Sequence, residues 1–195
     1  RLGGMRTALV VLLSFFVSLC LRGQDKSMLI DKILMRAQRW DDIEKVMDIV
    51  LRSDAKDHIP LGVPLQEAYR KSSSFGYRED PINGIKKFHS GLDLAAQYAS
   101  IVYCTAAGRV TFSGDKGGYG KTVIVQHRYG FETYYAHLTY LYAQTGCEVK
   151  RGKAIGFVGS TGRSTGNHLH YEIRKNGRSI DPSKFFDCRI KNKRQ

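Results

Sequence analysis

Cysteine is scarce in this chain: four residues in 195, of which Cys20 stands in an apolar N-terminal run and Cys104, Cys147 and Cys188 form an odd set. Three thiols cannot all pair within one chain, and none is spaced like a metal cluster, so stability must come from a core rather than from a disulfide framework. Cys104, in Val102-Tyr103-Cys104-Thr105, reads as a small buried strand position. Acidic side chains are also few, 18 Asp and Glu against 31 Lys and Arg, which leaves a formal charge of +13. No stacking platform or recognition-helix motif accompanies that charge, so nucleic acid is not the expected partner. No apolar run reaches the roughly 18 residues of a membrane span; the longest, Ala8 to Leu21, has 14. A His-Glu-x-x-His helix signature is missing too, which excludes the helical zinc-protease arrangement. No internal repeat or low-complexity tract is visible.

What is present divides the chain in three. Arg1 and Arg6 precede the Ala8 to Leu21 run, so residues 1–23 read as a signal peptide or N-terminal membrane anchor. Val17-Ser18-Leu19-Cys20 loosely resembles a lipoprotein processing site. The implied location is outside the cytoplasm: periplasmic, associated with the cell envelope, or extracellular. Residues 24–57 form a helical segment and linker, because Leu29, Ile33, Ala37, Trp40, Ile43, Met47 and Val50 recur every three or four residues and predict an amphipathic helix over 27–53. Three roles are open to it: packing on its own domain, a dimerisation arm, or a cover over the groove. Ile59-Pro60-Leu61-Gly62-Val63-Pro64 ends it.

From residue 58 to 195 the period changes to two. Ile101 to Tyr103, Gly108 to Phe112, Thr122 to Gln126, Phe131 to His137, Ala154 to Val158 and His168 to Arg174 are short strand candidates between glycine-rich turns. They predict a mainly β domain built on an antiparallel sheet, with one ordinary core. Residues 1–57 carry ten basic and eight acidic side chains, so +11 of the +13 belongs to this domain. A cationic surface concentrates an anionic polymer, although solubility alone also accounts for it.

The strand candidate at its end carries the chemistry. In His168-Leu169-His170-Tyr171-Glu172-Ile173-Arg174, period two puts His168, His170, Glu172 and Arg174 on one face and Leu169, Tyr171 and Ile173 on the other. A His-x-His pair alone is also what a solvated strand face shows. Further ligand types stand at His89-Ser90-Gly91-Leu92-Asp93, where His89 and Asp93 again differ by an even number and are expected on one strand face. Two imidazoles and a carboxylate suit a catalytic zinc with an open fourth position, and the same set also serves non-haem iron oxygenases. His137, in Tyr135-Ala136-His137-Leu138, closes another strand candidate. His58 and His127 fit no motif and read as surface or locally bonded residues.

These segments, together with Ser73-Ser74-Phe75-Gly76-Tyr77-Arg78, Gly114-Asp115-Lys116-Gly117-Gly118-Tyr119-Gly120, Gly159-Ser160-Thr161-Gly162 and Asp181-Pro182, resemble the lysostaphin/LytM-type zinc endopeptidases of bacterial cell walls. The resemblance runs in the family's order over about two thirds of the chain. It implies His89, Asp93 and His170 as ligands of one zinc ion per chain and His137 and His168 as catalytic histidines, with His168 favoured as base and His137 as oxyanion donor. It implies peptidoglycan as partner and hydrolysis of its cross-links or bridges, with a non-catalytic wall-binding or amidase-activating module as the other reading. Glu172 reads as a solvated residue or one behind a metal ligand. Arg78 and Asn83, and the loops Arg78 to Lys87 and Gly114 to Lys121, are candidates to line the groove. A last short helix is expected from Asp181-Pro182.

Overall fold

The computed structural model describes residues 26–80 and 84–188. The signal or anchor segment 1–23 with Cys20, Asn83, and the basic run from Arg189 lie outside the described residues.

Twelve short strands organise this part of the chain: β1 Tyr69–Ser73, β2 Gly76–Glu79, β3 Lys86–His89, β4 Leu92–Ala96, β5 Ile101–Tyr103, β6 Gly108–Asp115, β7 Lys121–His127, β8 Phe131–Leu141, β9 Glu148–Val149, β10 Ala154–Val158, β11 His168–Lys175 and β12 Arg178–Ile180. Ten join one antiparallel sheet along the path β1-β4-β11-β8-β7-β6-β9, with β12 beside β11 and β10 bridging β8 and β5. The remaining two, β2 and β3, form a separate hairpin. The antiparallel, mainly β architecture expected from the alternation is thus observed. A short 3-10 turn, Pro182–Phe185, follows the last strand, started by the Asp181 carboxylate accepting from the Ser183 amide.

β8 changes neighbour part-way. Its residues 131–136 pair with β11, whereas Leu138, Tyr140 and Leu141 pair with β10. Between the two stands His137 in the left-handed region at φ 59°, with the register on the β7 side also slipping there. A non-glycine residue held at positive φ costs free energy, and such irregularities re-aim side chains.

One face of the sheet is the core. Leu92, Leu94, Val123, Val125, Tyr135, Leu169, Tyr171 and Ile173 are essentially fully buried there. At roughly 1.5–3 kcal/mol for each large apolar side chain removed from water, this layer dominates the stability of the sheet. The segment before the sheet covers part of it, but not as one helix over 27–53. It forms α1 (26–36), α2 Trp40–Glu44 and α3 Met47–Val50, then a 3-10 turn Asp54–His58. No proline or glycine causes the break. The Asp42 carboxylate accepts from the backbone amides of Gln38 and Arg39 and so starts a new helix at Trp40. The buried stripe is Ile30, Leu34, Ala37, Ile43, Met47 and Val50, one residue out of phase with the expectation in α1, where Leu29 is exposed.

These side chains belong to the same apolar cluster as the sheet. Trp40 meets Phe185 edge-on at 4.6 Å, and Asp31 accepts from the Tyr129 hydroxyl at 2.6 Å. The apolar stripe therefore packs on its own sheet, and no residue of 26–58 lines the groove described below.

Candidate metal centre

The opposite face of β11 carries the site. His168, His170, Glu172 and Arg174 share it, as the alternation requires, and the register sets His170 against Asp93 of β4 and Ala136 of β8. His89 arrives differently from the expectation. It ends β3 of the hairpin while Asp93 lies in β4 of the large sheet, so the two are not on one strand face. The chain bends at Ser90-Gly91, and this bend brings both to the same point. Gly91 is required less for room near an ion than for close strand approach: a Cβ there would lie 2.4 Å from the Tyr171 carbonyl oxygen.

Three atoms converge. His89 Nε2 lies 3.1 Å from both Asp93 Oδ1 and His170 Nδ1, and His170 Nδ1 lies 2.8 Å from Asp93 Oδ1. The other ring nitrogens have partners that set the tautomers. His89 Nδ1 donates to the Ser74 carbonyl at 2.8 Å, and His170 Nε2 to the Glu172 carboxylate at 3.0 Å. In the neutral rings this leaves lone pairs on the facing nitrogens, so three electron-pair donors point at one another. All three residues are buried, and their ligand atoms lie within 4.8 Å of one another. Such a set attracts positive charge. Burial alone would lower the His170 pKa, yet hydrogen bonds to Asp93 and Glu172 push it up to about 9. Burial would raise Asp93, but hydrogen bonds from His170 and His89 hold it well below the carboxylate range. Two imidazoles and a carboxylate with this convergence fit a divalent cation of the zinc class.

Glu172 is not solvated. It has no exposed surface, and its Oε1 accepts from His170, Ser90 Oγ at 2.5 Å and the Tyr119 hydroxyl at 2.8 Å, while Oε2 accepts from Arg174 Nη2 at 2.7 Å. A carboxylate behind a ligating imidazole fixes its ring orientation.

Two further imidazoles flank the cluster, with ring centroids 4.7 Å apart. His137 donates from Nδ1 to the Thr161 carbonyl at 2.7 Å, and His168 from Nδ1 to the Gly166 carbonyl at 2.8 Å. Nε2 of each is thereby the basic atom, and that of His168 stands 3.8 Å from Asp93 Oδ1. Burial, with His168 and His170 nearby, lowers the His137 pKa to about 4. All five histidine and aspartate positions border one groove of about 340 Å³.

Its walls include Arg78, Lys87 and Phe88 from the hairpin and Gly118-Tyr119 from the glycine-rich loop, both expected. They also include Asp80 and the loop Arg163-Ser164-Thr165, which periodicity did not single out. Arg163 holds Asp80 through two hydrogen bonds of 2.7 and 2.8 Å, tying the two walls together. Arg78 Nη2 reaches Asp93 Oδ2 at 3.4 Å. His127 lies elsewhere, buried between the Ala107 carbonyl and Thr133 Oγ1, so it is locally bonded rather than on the surface. Cys104 is buried as expected, and Cys104, Cys147 and Cys188 are free thiols.

A family model described as Peptidase family M23 matches residues 87–182. The catalytic domain of the antimicrobial peptidase lysostaphin from Staphylococcus simulans superposes with a TM-score of 0.55 at 30% identity, over 60% of this chain and 91% of that domain. The chain belongs to peptidase family M23. Another solved relative, a zinc containing peptidase from Vibrio cholerae, matches with a TM-score of 0.59 and 32% identity over 64% of this chain and 39% of that one. The DD-carboxypeptidase/endopeptidase Mpg of Neisseria meningitidis serogroup B is 51% identical over 113 residues, which are 58% of this chain and 26% of Mpg. The M23 chain described here thus spans about a quarter of that relative's length.

Proposed function

We propose that this chain is a zinc-dependent endopeptidase that hydrolyses peptide cross-links or bridges of bacterial peptidoglycan. In this reading residues 58–195 are the peptidase domain, 24–57 its helical layer, and 1–23 the export signal or anchor that delivers it outside the cytoplasm. The observation that carries the reading is the convergence of His89 Nε2, Asp93 Oδ1 and His170 Nδ1 beside two more imidazoles in one groove. Those three residues would hold the ion. When bound, zinc supplies Lewis acidity, polarising a carbonyl and making a water nucleophilic near neutral pH.

The protein's own groups do the rest. His168, with its Nδ1 proton tied to Gly166, offers Nε2 as the base that takes the proton of the attacking water and returns it to the leaving amine. His137, held by Thr161, faces the groove beside His168 and in its protonated form donates to the developing oxyanion. Glu172 keeps the His170 ring turned toward the cluster. The +11 on residues 58–195 favours approach to an anionic wall polymer.

Two measurements on His170→Ala and Asp93→Ala test this: metal content of the purified protein, and release of new amino groups from purified peptidoglycan. Both variants are expected to lose zinc and cleavage together. Wild-type protein that binds wall material without releasing amino groups would instead make it a binding or activating module.

A further inference from the structure

The groove is lined by three cations, and they are not equivalent. Arg163 is engaged by Asp80 through both guanidinium nitrogens, at 2.7 and 2.8 Å. Arg78 and Lys87 are not. They are direct partners across the β2-β3 hairpin, so their side chains leave the same face, and both border the groove. Like charges placed directly opposite in an antiparallel pair destabilise it, so this pairing is a local cost without a local return. Lys87 makes no ion pair among the described residues. Arg78 uses Nη1 on the Glu79 carbonyl at 3.2 Å and Nη2, at the long distance of 3.4 Å, on Asp93 Oδ2. Its Nε is buried with no partner among the described residues. A buried, unsatisfied guanidinium nitrogen beside a free ammonium is the arrangement that an incoming carboxylate completes.

We propose that Arg78 and Lys87 form a carboxylate subsite for the amine side of the scissile bond. The inference rests on reading the groove as that of a peptidoglycan peptidase. The contact of Arg78 with Asp93 sets its guanidinium against the ligand cluster, so the carboxylate it takes must be bonded close to the reacting amide. The substrate class that meets this has a carboxylate on the carbon attached to the scissile nitrogen. A cross-link to a diamino acid through the amine next to its free carboxylate has that group, and so does a C-terminal residue. An internal glycine bridge does not, and it is the poorer substrate.

The test uses two synthetic cross-linked peptides that differ only at that carboxylate, free in one and amidated in the other. Binding is measured by calorimetry to the zinc-loaded His168→Ala protein, which removes turnover, and cleavage is measured with wild type and with Lys87→Gln. The free acid is expected to bind about tenfold more tightly than the amide and to be cleaved with a kcat/KM about tenfold higher, the scale of one charge-assisted hydrogen bond. In Lys87→Gln that ratio falls toward one, and because it is a ratio within one protein, a partly misfolded preparation does not mimic it. Equal binding of the two peptides, or an unchanged ratio in Lys87→Gln, overturns the subsite. Tighter binding of the acid with no cleavage of either peptide upholds the subsite and overturns the peptidase reading. Failure to bind either peptide overturns both.

Discussion

Glu172 is a carboxylate with no water around it and partners on both oxygens, four side chains in all. Burial alone would raise its pKa, yet His170, Ser90 and Tyr119 bring it down to about 2, so the group stays charged wherever the protein functions. Glu172→Gln keeps the volume but removes the charge that orients His170. Zinc affinity is expected to fall about 10–100-fold, measured by competition with a chelating dye, and cleavage should recover when zinc is added in excess. Parity along β11 made Glu172 and His170 neighbours on one face but could not reveal who else meets them. Ser90, Tyr119 and Arg174 close the network, and two of these three come from loops distant in sequence.

At the level of elements, the readable parts were those in which a single period ran unbroken. In β11 alternation assigned each side chain to site or core. Between His89 and Asp93 the same count of two gave the right pair for the wrong reason, because it was carried through a bend that joins two different sheets. The helix over 27–53 failed in a related way: apolar spacing persists through Gln38 and Arg39, while a carboxylate three residues later takes their amides and restarts the helix. Arg163 had no periodic context at all, and its meeting with Asp80 is a property of the tertiary structure. The bend at Gly91 is the element on which the ligand set depends. Gly91→Ala would drive a methyl group into the Tyr171 carbonyl and push β4 away from β11 where Asp93 faces His170. A loss of about 1–3 kcal/mol in denaturant unfolding is expected, with reduced zinc content in the protein that still folds.

For the molecule as a whole, acid sensitivity follows from a histidine far from the groove. Burial lowers the His127 pKa to about 4, against about 6.5 in an unfolded chain. The unfolded chain therefore binds this proton first as pH drops. The stability at stake, about 3 kcal/mol, is fully present above about pH 6.5, declines as pH falls through that window, and is gone below about pH 4. Thermal unfolding between pH 7 and 4 should show a falling Tm in wild type and a shallower fall in His127→Gln.

The contact between Trp40 and Phe185 joins α2 to the turn that follows the last strand. Trp40 is the only tryptophan in the sequence. The chain thus carries a built-in optical probe at the seam between its helical layer and its sheet. Its emission reports whether the two remain docked, with no label to introduce and no second indole to subtract.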